Sequence, residues 1–138
     1  MHKAFFRLAA ILGALAVILG AFGAHALKKV APEQAVAVFE TGVKYQFYHV
    51  FALLATALAW KEYPNKWLQY AGSVFVLGII LFCGSLYVLT AFAVSAQSSG
   101  NMPVLAKVIG PVTPIGGLFL IAGWLLLAKG ATGSRQDR

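Results

Sequence analysis

Six side chains in this sequence have the types and spacing to do chemistry: His25, Tyr45, Gln46, His49, Tyr87 and Thr113. Tyr45 and His49 are four residues apart, so on a helix a phenol and an imidazole share one face. With Gln46 beside them, they could hydrogen-bond the polar end of a small amphipathic molecule such as a lipid headgroup or a quinone. The plainer alternative is anchoring, because tyrosine and histidine combine an apolar body with a polar tip that suits a headgroup boundary. Metal binding is poorly supplied. Only His25, His49 and Glu33 or Glu40 could ligate, with no HExxH or paired-cysteine spacing. A two-histidine haem has no better support, and neither metal nor other cofactor is expected. Cys83 is the single cysteine and is expected to pack as a small apolar residue. The sequence holds four acidic residues and no Gly-rich phosphate loop, nucleophile elbow or carboxylate pair, so no catalytic residues are assigned and no enzyme is expected.

The surroundings of these residues follow from composition. Of 138 residues, 60% are hydrophobic and 11% charged, against roughly 25% charged in soluble domains. Mean hydropathy is +0.80. A domain of this size cannot withdraw so much apolar surface from water, so lipid is the expected solvent. The net charge of +7 would suggest nucleic acid if the cations clustered. Instead Lys and Arg punctuate apolar runs, as cations do against lipid headgroups, and no nucleic-acid partner is expected.

About 20 apolar residues cross the hydrocarbon core as a helix. Four spans are expected, at about residues 5–25, 43–60, 67–94 and 107–128, forming one all-α, compact four-helix transmembrane bundle over residues 1–129. Residues 130–138 read as a short polar tail. The 95–103 stretch, with its serines, Gly100 and Pro103, reads as a loop dividing the third span from the fourth. A short amphipathic helix is expected over residues 32–42, begun by Pro32 and Glu33, supported by a Glu40–Lys44 pair and bending at Gly42 into the second span. Lys3 and Arg7 before an apolar run, with Ala24-His25-Ala26 after it, have the outline of a secretory signal; the run is expected to be retained as a helix. Threading four spans puts seven Lys and Arg on the side of both termini and four on the other, so both termini are expected in the cytoplasm. The polar residues named above, with Ser85, then fall toward the non-cytoplasmic half.

Helices in lipid associate through close backbone approach and hydrogen bonds, so glycines mark contacts. Gly13, Gly20, Gly23, Gly84, Gly116 and Gly117 are the candidate packing positions, within the chain or between copies. The two prolines and three glycines of residues 110–117 read as a capped or kinked start to the fourth span, or as an irregular wall to a cavity.

Four stretches resemble a known family: Gly20-Ala-Phe-Gly-Ala-His-Ala-Leu27, Phe39-Glu-Thr-Gly-Val-Lys-Tyr-Gln-Phe-Tyr-His49, Phe82-Cys-Gly-Ser-Leu-Tyr87, and Thr113-Pro-Ile-Gly-Gly117 followed by Gly123-Trp124. In that order they resemble the YgdD-like family of small inner-membrane proteins, a domain-of-unknown-function family. The resemblance implies a compact four-span bundle in the cell inner membrane and supplies no activity. Cys83 stands where such sequences often carry serine, which argues against an essential hydroxyl there. Two functions are weighed. The first is a non-enzymatic structural or accessory component, in a homo-oligomer or with other membrane proteins. The alternative is a binder or carrier of a small amphipathic ligand.

Overall fold

A computed structural model describes residues 1–132, and every regular element within them is helical. Arg135, Arg138 and most of the expected polar tail lie outside the described residues. Four long helices are present: α1 (Lys3–Ala24), α2 (Glu33–Ala59), α3 (Lys66–Ser99) and α5 (Val112–Ala131), with a short α4 (Leu105–Ile109) and a 3-10 turn at Leu27–Lys29. Among the described residues three stretches are long and apolar enough to cross a membrane: Lys3–Lys29, Lys66–Ser99 and Leu105–Ala131.

Local chemistry sets the helix ends. The His2 ring accepts the Phe5 N–H and caps α1, while the Asn65 carboxamide oxygen accepts the N–H groups of Trp67 and Leu68 and caps α3. Gly100 closes α3 in the left-handed conformation, φ 73°, where a Cβ would be strained. The chain departs from expectation in four places. Residues 33–42 are not a separate helix; they are the first turns of α2, with Pro32 as its cap and Gly42 buried mid-helix without a break. Ser95–Ser99, expected in the loop, continue α3, because nothing in that run stops a helix before Gly100. The fourth apolar run is split into α4 and α5. Finally, Glu40 pairs with Lys28 at 3.8 Å instead of Lys44, both side chains half exposed, a contact worth little.

The α3–α5 seam is antiparallel and repeats every seven residues. Leu68 and Phe75 of α3 fill the gaps left by Gly130 and Gly123 of α5, the backbone at Phe82 lies against Gly116, and Leu120 fills the gap left by Gly78 in the same register. A Cβ at Gly123 would lie 2.6 Å from the Phe75 ring, and one at Gly116 would strike the Phe82 backbone. Seven-residue spacing keeps such knobs on one seam of a left-handed helix pair. The α1–α2 seam is looser: Gly13 faces Val50 at 3.4 Å and Gly20 faces Val43 at 3.5 Å. Gly23 is the tight point, where a Cβ would stand 2.9 Å from the Phe39 ring. The starts of α1 and α3 lie at the same end, since His2 Nε2 meets Gln69 Oε1 at 3.0 Å and His2 N–H donates to Ala57 O, near the end of α2, at 2.9 Å.

Candidate functional site

The site is built on one turn of α2. Gln46, 2% exposed, donates from Nε2 to the Leu12 carbonyl of α1 at 2.8 Å and accepts the Tyr87 hydroxyl of α3 at 2.7 Å. One turn on, His49 Nδ1 lies 2.7 Å from the Tyr45 carbonyl, and Trp124 Nε1 of α5 donates to His49 Nε2 at 3.2 Å. An indole N–H only donates, so Nε2 must be bare and Nδ1 must carry the proton toward Tyr45 O. His49 is therefore a neutral imidazole with both nitrogens committed. Two residues of α2 thus join all three other long helices by hydrogen bonds. Burying such groups without partners would be costly in an apolar interior, and within the described residues no buried side-chain nitrogen or oxygen is left unpaired.

Beside this junction a groove of ≈ 500 Å³ runs between α2 and α5, with Tyr45, Tyr48, His49, Phe82, Gly117 and Trp124 among its walls. The Tyr45 ring lies 4.8 Å from Phe82 and 6.1 Å from the His49 ring. His49 forms the floor at 5% exposure, whereas Trp124 is 48% exposed. Gly117 keeps the groove open; a Cβ there would only touch the Phe82 ring at 3.6 Å.

The six sequence candidates do not form one cluster. Gln46, His49 and Tyr87 come together, and Tyr45 joins through its backbone carbonyl while its ring lines the groove. Thr113 belongs to a separate pair: its hydroxyl meets Ser85 Oγ at 2.7 Å, and because Ser85 donates its proton to Phe82 O, Thr113 is the donor. Thr113 thus bonds across the α3–α5 seam, one residue before Pro114 in the first turn of α5. His25 stands apart. It is exposed at the end of α1, bonded to Ala21 O at 3.0 Å, and about 20 Å along the helix from Leu12. Among the glycines, Gly84 has no atom within 4 Å of its Cβ position. The described residues contain no group of three or more His, Cys, Asp or Glu able to hold a metal.

Sequence reasoning missed Trp124 as a partner of His49, although the indole follows Gly123 in a stretch already singled out. It also missed His2, which joins the bundle ends, and Lys129, whose ammonium sits 3.7 Å from the centre of the Trp67 ring.

Residues 19–117 match the family model described as "Protein of unknown function (DUF423)". The chain is 38% identical to a UPF0382 membrane protein of Haemophilus influenzae over 99% of both chains. It is 38% identical to the UPF0382 membrane protein YwdK of Bacillus subtilis over 94% of this chain and 96% of the relative. With the UPF0382 inner membrane protein YgdD of Escherichia coli it shares 37% identity over 89% of this chain and 85% of the relative. No solved structure matches.

Proposed function

Because the chain belongs to the DUF423 family of membrane proteins, we propose that it is a four-span inner-membrane protein with both termini in the cytoplasm. In this reading it serves as a non-enzymatic accessory component that associates with further copies of itself. The case for the fourth span is topological. α1 and α3 begin at the same end of the bundle, so a chain in which both cross the bilayer must return across it as α2. Averaged hydropathy undervalues α2 because Gln46, His49 and Thr56 are buried and bonded inside the protein, where they do not meet lipid. Lys61, Lys66 and Lys129 stand with Trp60, Trp67 and Tyr70 at the end holding the N-terminus, which supports that side as cytoplasmic.

One observation carries the associative role. Gly72 and Gly78 of α3 receive neighbours from α1 and α5, but Gly84 faces open space within an exposed stripe of Ser73, Leu77, Ile80, Val88 and Ala91. A bare glycine at helical spacing suits the close approach of a second helix. The test is the mass of the protein in lipid nanodiscs and several mild detergents. Dimers or larger species are expected, and Gly84→Leu, which has room in the monomer, is expected to shift them to monomers. Monomers alone in every medium would remove the proposal. The groove beside His49 favours a second reading, binding of a small amphipathic ligand.

A further inference from the structure

We propose that the groove between α2 and α5 binds the ring of an isoprenoid hydroquinone and selects it over the oxidised quinone; this rests on the ligand-binding reading above and names the ligand's chemistry. The argument begins with the two atoms at the groove floor. Trp124 Nε1–H can only donate, and His49 Nε2 can only accept, because the other imidazole nitrogen gives its proton to Tyr45 O. A hydroxyl inserted between them satisfies both, its oxygen accepting from the indole and its proton going to Nε2. A quinone carbonyl can accept from Trp124 but leaves Nε2 without a donor. The loss of that bond to a buried acceptor corresponds to about tenfold in affinity.

The surroundings select a neutral ring. The existing N–H···N contact is long at 3.2 Å. His49 is held by its 2.7 Å contact with Tyr45 O, whereas the half-exposed Trp124 is the member free to swing outward. Tyr45, Phe82 and Trp124 supply aromatic faces against which a flat ring can lie. Depth disfavours a phosphate headgroup: His49 stands about 18 Å along the helix from Lys61 and about 7.5 Å inside the exposed Lys44, within a core about 30 Å thick. No cation is among the lining residues, and an anion at that depth would be strongly disfavoured. A lipid-soluble tail brings a hydroquinone to this level sideways from the bilayer, through the side of the groove where Tyr48 and Ile121 are exposed.

The experiment uses the full chain in lipid nanodiscs with Trp60→Phe and Trp67→Phe, leaving Trp124 as the reporting indole. Quenching by decylubiquinone is titrated, followed by its displacement with decylubiquinol under argon. The quinol should displace the quinone at about one-tenth of its concentration. In His49→Phe that ratio should fall to about one, and Gly117→Leu, which fills the groove from its wall, should abolish binding of both forms. Equal affinity for the two forms in the parent protein would overturn the hydroquinone assignment and leave ligand binding standing. Quenching unchanged by Gly117→Leu would instead report partition into lipid and overturn both. Should His49→Phe fail to fold, the parent ratio and Gly117→Leu decide the matter.

Discussion

Gly116 and Gly117 are neighbours in sequence and opposites in use. Gly116 lies on the seam with α3, where the Phe82 backbone occupies the space a Cβ would need. Gly117, turned about 100° around the helix, faces the groove and meets only the edge of the Phe82 ring at 3.6 Å. One helix therefore has a face closed by contact and a face kept open. The glycine signal in a sequence does not say which is which; the register against the neighbouring helix does. On the closed face that register is the seven-residue step shared by Leu68, Phe75 and Phe82 with Gly130, Gly123 and Gly116.

Single substitutions can break or sharpen this contrast. The largest effect is expected for Gly116→Ala, because backbone, not a side chain, must retreat: a loss of about 3 kcal/mol in unfolding experiments in mixed micelles. A variant as stable as the parent would show that the seam is not close-packed. Gln46→Leu should come next, losing about 1–2 kcal/mol as two bonds between helices vanish and the Tyr87 hydroxyl is left without its acceptor. Hydrogen exchange should rise at the α1–α2 contact in that variant; unaltered exchange and stability would assign the four-helix junction to packing alone. The smallest effect belongs to Gly117→Ala, which should be neutral or gain about 0.5 kcal/mol from helix propensity. A loss comparable to that of Gly116→Ala would erase the distinction between the two faces.

The helical class was legible because apolar runs of this length have few other solutions. Gln46 was legible only as a polar residue beside Tyr45 and His49; its bonds go to Leu12 O and Tyr87 instead. The parts that escaped depend on register. Nothing in the spacing of His49 names Trp124, which lies 75 residues away and reaches it only once α5 is laid antiparallel to α3. His25 was grouped with His49 because both lie near span ends by counting, yet α1 and α2 pack with Gln46 level with Leu12, which leaves His25 far along the helix. The α2 start was misjudged for a different reason. Glu33, Glu40 and Lys44 suggested a surface helix, but Val36 and Phe39 on the opposite face are buried beside Leu27, so the segment is fastened to the bundle as part of a longer helix.

The tether at the N-terminus has a consequence for how the chain is made. His2 takes its partners from Ala57 and Gln69, which a ribosome delivers more than fifty residues later. The opening turn of α1 therefore carries its own cap from the start, at Phe5, but gains its ties to α2 and α3 only once those helices have been made. Trp60 adds to the same fastening, its ring meeting the His2 imidazole edge-on at 5.0 Å. A single residue ahead of α1 thus ties that helix to positions 55 and 67 residues further along the chain.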